Sequence, residues 1–319
     1  MINVALAGGW HVHAKGYAQD IINHPDCTLV GVWDDDSKRG IGLAEELGCP
    51  YVSDYGVLVA DSSVDAVIIT GATNQHLPLI CGAAKAGKHV FTEKVLAITA
   101  EEAGEMQTAV KQSGICFTIS FPHQSLGAVR AAKRAVEQGR LGQITYLRVR
   151  NVHGGSVQNW LPTHFYDKKA CGGGAMIDLG AHPMYLIPWF LGMPKTVASA
   201  FTSVTGREVE DNAVSVMTYE NGAIGVAETG FVSPADPYLI EISGTKGFLR
   251  VQNKEAEILT DGSWEVLPGE AGESPMNDWI SSILKGVPGR HFGIDEAVRL
   301  SVLMEAAYRS WTEGRTVLL

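Results

Sequence analysis

The first 120 residues alternate short, almost wholly apolar runs with stretches of helical period, and this alternation restricts the fold more than any other feature. Apolar runs at 3–7, 28–33, 64–70, 89–92 and 115–120 read as strands; residues 13–22, 38–47, 78–86 and 100–112 between them read as helices. Gly48, Gly87 and Gly114 stand where helix C-termini favour glycine. Strand–helix–strand alternation implies right-handed crossovers and a parallel sheet. Strands apolar on both faces imply helices on both sides of it. The expected fold is α/β, an N-terminal doubly wound parallel sheet of the Rossmann kind over residues 1–120.

Beyond residue 121 the pattern changes. A helix at 126–138 precedes a long strand at 144–152, and Gly172-Gly173-Gly174 opens what reads as a helix running to about residue 191. Asn221-Gly222, Gly244-Thr245-Lys246-Gly247 and Asp261-Gly262 then separate alternating runs, a hairpin pattern. A last helix at 295–313 places Ala297, Leu300, Leu303, Met304, Ala307, Tyr308 and Trp311 on one face. Residues 121–319 are therefore expected to form an α+β domain with an open, mostly antiparallel sheet.

Composition excludes several classes of partner. The net charge of −10 works against a phosphate backbone, so no nucleic acid is expected. Five scattered cysteines, with no metal-ligand spacing, imply reduced thiols in the cytoplasm and no metal. The N-terminus has no basic leader, and the apolar stretch at 184–193, broken by Pro188, is too short to cross a bilayer. A soluble protein without membrane association is expected.

The turn after the first strand, Ala7-Gly8-Gly9-Trp10-His11-Val12-His13, has the glycines and the following helix that hold a dinucleotide pyrophosphate. It is shorter than G-x-G-x-x-G, with Trp10 in place of the second glycine. Asp34 ends the second strand about 20 residues beyond, where a carboxylate accepts the ribose hydroxyls. With Asp35 and Asp36 it would repel a 2′-phosphate, so NAD is favoured over NADP, although Lys38 and Arg39 lie close by. An ordinary acidic turn is the plain alternative.

Residues 66–70, His76 and the run Ala86-Gly87-Lys88-His89-Val90-Phe91-Thr92-Glu93-Lys94 resemble the glucose–fructose oxidoreductase, inositol dehydrogenase and rhizopine-catabolism (Gfo/Idh/MocA) family. A second block, Gly173-Gly174-Ala175-Met176-Ile177-Asp178-Leu179-Gly180-Ala181-His182, looks like that family's G-G-x-x-x-D-x-G-x-H pattern. Weaker echoes are Gly139-Arg140-Leu141-Gly142 and Ala307-Tyr308-Arg309-Ser310 with Gly314-Arg315, so the resemblance spans nearly the whole chain. It implies NAD(P)-dependent redox chemistry at a hydroxyl or keto carbon of a sugar, inositol or related polyol. It also implies a substrate-binding second domain whose sheet makes a homodimer or homotetramer. Gly8, Gly9, Trp10, His11, Asp34, Gly71, Ala72, His76, Glu93 and Lys94 are then the cofactor set. The loop Gly71-Ala72-Thr73-Asn74-Gln75-His76 departs from T-P-N-x-x-H, and Glu93-Lys94-Val95 departs from E-K-P. Non-proline cis bonds are costly, so a trans Lys94–Val95 bond is expected.

Alcohol oxidation needs a base, a hydride acceptor and a group that steadies the alkoxide. The family blocks assign His182 as base, Asp178 as its support or a substrate contact, and Lys94 as the group on the reacting oxygen. Asp178 and His182 would share one helix face at i, i+4. His123, His153, Trp160 and His164 are candidate substrate contacts; core packing serves Trp160 equally well. Two other functions fit the same motifs: an NAD-binding sensor without turnover, and transient redox that drives glycoside cleavage or elimination.

Overall fold

Five of the apolar runs pair side by side in one parallel sheet. In the computed structural model, which describes all residues except Asp236, Pro237, Pro288 and Arg290, these are β1 (Ile2–Ala7), β2 (Cys27–Trp33), β3 (Ala66–Ile69), β4 (His89–Thr92) and β5 (Phe117–Ile119). Their order is β2-β1-β3-β4-β5. Helices α1 (Ala14–Asn23), α2 (Ser37–Leu47), α3 (Tyr55–Ala60), α4 (His76–Lys85) and α5 (Ala100–Ser113) connect them. Val4, Ala5, Leu6, Ala66, Val67, Ile68 and Ile69 are fully buried, as a sheet covered on both faces requires. Asp36 and Thr99 cap α2 and α5 through their side chains, and Gly48 and Gly114 end those helices at φ of 69° and 67°.

The chain divides into two compact units. The first is Met1–Ser120 together with Pro275–Val298; the second is Phe121–Ser274 together with Arg299–Leu319. Residues 275–298 thus group with the parallel sheet, not with the rest of the C-terminal half. Their helix, described with its neighbours below, buries Trp279 completely. That indole lies 5.7 Å from the Phe91 ring and donates to the Cys116 carbonyl at 3.4 Å. Such burial contributes at least the roughly 1.5–3 kcal/mol of a buried Phe or Leu.

After β5 the chain continues through α6 (Gly127–Glu137), β6 (Ile144–Val152), α7 (Lys168–Cys171) and α8 (Ala181–Leu191). Seven strands follow: β7 (Thr196–Thr202), β8 (Asn212–Thr218), β9 (Ile224–Gly230), β10 (Leu239–Gly244), β11 (Gly247–Gln252), β12 (Glu255–Thr260) and β13 (Ser263–Leu267). The last elements are α9 (Pro275–Lys285), which carries Trp279, then α10 (Ile294–Glu313) and β14 (Val317–Leu318). The second unit holds a nine-stranded sheet in the order β13-β12-β11-β10-β6-β9-β8-β7-β14. Among the described residues of this sheet, β6 and β9 pair in parallel and the other strand pairs are antiparallel.

The glycine-rich segment departs from expectation. The helix begins at Ala181, not at Gly172, and Asp178 lies in the turn before it. The N–H groups of Gly174 and Met176 bond the Glu210 carboxylate, and Ala175 N–H donates to the Glu210 carbonyl. The next bonds run Asp178 to Gly174, Gly180 to Ala175 and His182 to Leu179. That spacing of four, five and three residues is not an α-helix, so Asp178 and His182 do not share the face of one α-helix as the sequence predicts.

Candidate functional site

The cofactor-facing elements belong to the first unit. Ligands of such sheets sit at the carboxyl ends of strands where the order reverses, here beyond β1 and β3. Gly8 has φ +99°, and a Cβ there would come within 2.6 Å of Gly71 N. Gly8 N–H donates to the Trp33 carbonyl at 2.8 Å and His11 N–H to Thr70 O at 3.1 Å, so the two loops meet backbone to backbone. Helix α1 starts without a side-chain cap, which leaves its N-terminal end suited to an anion. These features fit a pyrophosphate despite the shortened turn. Ala72 N–H is held by Gln75 Oε1 at 3.2 Å. His76 opens α4, bonds Leu96 O through Nδ1 at 3.0 Å, and has Nε2 buried with no hydrogen-bond partner. Burial holds this imidazole below its ordinary pKa, hence neutral.

Asp34 is buried at the end of β2 and more heavily engaged than the sequence suggests. Arg39 clamps it with two bonds, Nε to Oδ2 at 2.8 Å and Nη2 to Oδ1 at 2.6 Å. Gly9 N–H adds a bond to Oδ2 at 2.5 Å and Asp36 N–H one to Oδ1 at 2.8 Å. A carboxylate offers about four acceptor positions, so the Arg39 clamp must open at one oxygen before a ribose hydroxyl can bond there. Arg39 reaches Asp35 as well, at 2.6 Å. The sequence placed Arg39 nearby, but only folding shows a bidentate pair.

Glu93 and Lys94 follow β4. The Glu93 carboxylate is buried and accepts from His13 Nδ1 at 2.7 Å, from Tyr17 Oη, and from Lys94 N–H at 3.0 Å. Burial by itself would raise its pKa, but His11, His13 and Lys94 hold the carboxyl far below the usual carboxylate range. Burial and the Glu93 charge push Tyr17 well above the ordinary phenol value. The Lys94–Val95 peptide is cis, contrary to expectation. Val95, Leu96 and Ala97 are all buried, and bonds from Lys94 N and to Leu96 O fix the segment, so its path is set by surroundings and not by a proline.

The second unit carries the remaining candidates. His182, on the first turn of α8, is buried, and its Nδ1 lies 2.9 Å from Tyr185 Oη. Its ring stacks on His123 with centroids 3.9 Å apart and planes at 15°. His123 N–H donates to the same Tyr185 Oη at 3.0 Å, and Tyr238 meets the His123 ring edge-on at 5.0 Å. Tyr185, which sequence reasoning missed, sits three residues beyond His182, a helical spacing that would have flagged it. His153 forms a separate group, stacked on Phe231 at 4.9 Å with the Trp160 ring 4.6 Å away. Trp160 is half exposed and bonded to Gln158 Oε1. His164 lies against Phe165 instead. A cleft of about 650 Å³ opens in this unit, with His123, Asn151, Tyr238, Asn253 and Lys254 among its lining residues.

A Rossmann unit with a glycine crevice, a strand-end carboxylate and a second sheet domain defines an NAD-binding oxidoreductase. Residues 2–121 match the oxidoreductase family with an NAD-binding Rossmann fold, and 129–250 match the GFO/IDH/MocA C-terminal domain. The chain belongs to the Gfo/Idh/MocA family of oxidoreductases. It is 28% identical to scyllo-inositol 2-dehydrogenase (NAD(+)) of Bacillus subtilis (strain 168), over 97% of this chain and 93% of that protein. It is also 28% identical to 1,5-anhydro-D-fructose reductase of Ensifer adhaerens, over 70% and 68% respectively. Levoglucosan dehydrogenase in complex with NADH and levoglucosan superposes with a TM-score of 0.87 at 20% identity, covering 99% of each chain. No helix among the described residues is long and apolar enough to cross a membrane.

Proposed function

We propose that this protein is a dehydrogenase that oxidises a hydroxyl of a sugar, inositol or related polyol with NAD. The observation that carries the reading is His182, a buried imidazole whose Nδ1 is fixed by Tyr185 and whose ring is braced by His123. With Nδ1–H donating to Tyr185 Oη, Nε2 is the nitrogen that accepts the hydroxyl proton. The family block assigns Lys94 to the reacting oxygen, where its ammonium favours the alkoxide. Asp178 supports the imidazolium or orients the sugar. When bound, NAD supplies the hydride acceptor. The cleft beside His123 takes the substrate, and the family resemblance adds His153, Trp160 and His164 as further candidate contacts. Relatives named for inositol and anhydro-sugars support the substrate class.

The test is NADH formation across a panel of polyols and sugars. The reading requires saturable turnover with at least one of them. Tight NAD binding with no turnover on any would favour the sensor. A transient NADH signal in stopped-flow without net accumulation would mean redox-assisted cleavage or elimination.

Asp34 and Arg39 together set the cofactor preference in this reading. Asp34→Asn removes the charge that repels a 2′-phosphate and frees Arg39 to pair with one. Because 1.4 kcal/mol corresponds to tenfold, loss of one such contact should shift the NAD-to-NADP ratio of kcat/KM toward NADP by at least about tenfold. An unchanged ratio would remove this pair from the ribose site.

Assembly and location complete the proposal. The chain works in the cytoplasm, as its five free cysteines suggest. It forms a homodimer or homotetramer through the nine-stranded sheet, whose edge strand β13 exposes Trp264 and Val266.

A further inference from the structure

We propose that His11, His13 and Glu93 form a binding site for one divalent transition-metal ion of the zinc, cobalt or nickel class. His11 and His13 lie on the turn before α1, and Glu93, 80 positions beyond His13, follows β4. Folding brings a ligand atom of each within 4.8 Å of the others.

The spacings suit coordination. His13 Nδ1 lies 2.7 Å and His11 Nδ1 3.7 Å from Glu93 Oε1. Donors about 2.1 Å from a tetrahedral ion lie roughly 3.4 Å apart, so the His13–Glu93 pair opens by about 0.7 Å and the His11–Glu93 pair closes by about 0.3 Å to seat the ion. Two imidazoles and one carboxylate favour nitrogen-preferring ions over magnesium or calcium, which take oxygen donors. The carboxylate is already aimed. Tyr17 Oη donates to Oε1, Lys94 N–H donates to Oε2, and Ser120 Oγ lies 2.8 Å from Tyr17 Oη. Outer hydrogen bonds of this kind orient metal ligands.

Exposure gives the site a direction. The His11 and Glu93 side chains are 6% and 2% exposed, whereas His13 is 50% exposed. An ion therefore enters from the His13 side and keeps its remaining positions there, for water or an anionic ligand. On binding, the proton shared by His13 Nδ1 and Glu93 leaves to solvent, and the weak 3.2 Å bond from His13 N–H to His11 Nδ1 is given up. The Lys94 charge opposes the ion and sets an upper bound on affinity. Binding requires no turnover, so the proposal stands or falls apart from the dehydrogenase reading.

The experiment uses the untagged, chelator-stripped full chain, titrated with Co²⁺ by visible absorption and with Zn²⁺ by calorimetry. One equivalent should bind with micromolar or tighter affinity, and Co²⁺ should show the intense d–d bands of four- or five-fold coordination. His11→Ala and His13→Ala should each weaken binding at least about 100-fold, beyond what loss of an outer partner costs. His13 is half exposed, so its variant should keep the parent's circular dichroism even if the Glu93→Gln chain fails to fold. Absence of saturable binding, or parent-like binding in the His13→Ala chain, would overturn the site.

Discussion

Replacing His182 by alanine should lower kcat by about 10²–10⁴-fold, the usual contribution of a positioned general base, while NAD still binds with parent affinity. The separation follows from where the parts lie: residues 2–121 match the NAD-binding family, and His182 sits on α8 of the second unit. His182 is buried, so its loss also leaves space beside His123 and Tyr185. Tyr185→Phe separates that packing effect from chemistry, because it keeps the ring that stacks on Phe121 at 4.2 Å and removes the oxygen that meets His182 Nδ1 and His123 N–H. Its loss in kcat should be nearer tenfold, the size of one hydrogen bond of about 1–1.5 kcal/mol. Steady-state kinetics on the best substrate of the panel, with NAD affinity by fluorescence, reads both. Unchanged turnover in the His182→Ala chain would take His182 out of the mechanism.

The parallel sheet was legible because its strands are continuous apolar runs and its helices end on glycines, both local signals. The same holds for β6 and for the hairpins at Asn221-Gly222 and Asp261-Gly262, around which β8–β9 and β12–β13 pair. The return of residues 275–298 to the first unit was not legible. Trp279 meets Phe91 across 188 positions, and an amphipathic helix carries no mark of which sheet it will cover. The start of α8 failed for a related reason. Gly172 to Gly180 has helical composition apart from its glycines, but its N–H groups are claimed by Glu210, 34 to 36 positions away. At the site, residue types could be read while pairings could not. Asp34 was visible as a strand-end carboxylate and Arg39 only as a nearby base. The His11–His13–Glu93 cluster stayed hidden because H-x-H alone is commonplace, and its third member lies on another strand.

Glu210→Ala should be the most damaging single change in the second unit outside the catalytic residues. Glu210 is buried and accepts from Gly174 N–H at 3.0 Å, Met176 N–H at 2.9 Å and Tyr308 Oη at 2.6 Å. It thereby holds the turn that carries Asp178 and leads into His182. The packing is close: a Cβ at Gly173 would strike Tyr308 Oη, and one at Gly174 would strike the Glu210 carbonyl. Alanine leaves three donors facing a void, and unmet buried donors cost roughly 1–3 kcal/mol each. Water entering the void would offset part of that, so a net loss of about 3–5 kcal/mol is expected, or roughly 6–20 °C in Tm. Glu210→Gln keeps an acceptor for the same donors and should retain most of the stability. The two variants also differ in pH dependence. Burial raises the Glu210 pKa above the ordinary 4.5, against the lowering effect of its hydrogen bonds. A raised carboxyl pKa stabilises the fold fully below the unfolded value, and that contribution is lost as pH rises through the folded one. The Gln variant lacks this titration, so its Tm relative to the parent should climb between pH 4 and neutrality. A flat difference would show that the carboxyl ionises without penalty, and parent-like Tm in Glu210→Ala would show that the turn is held by other contacts.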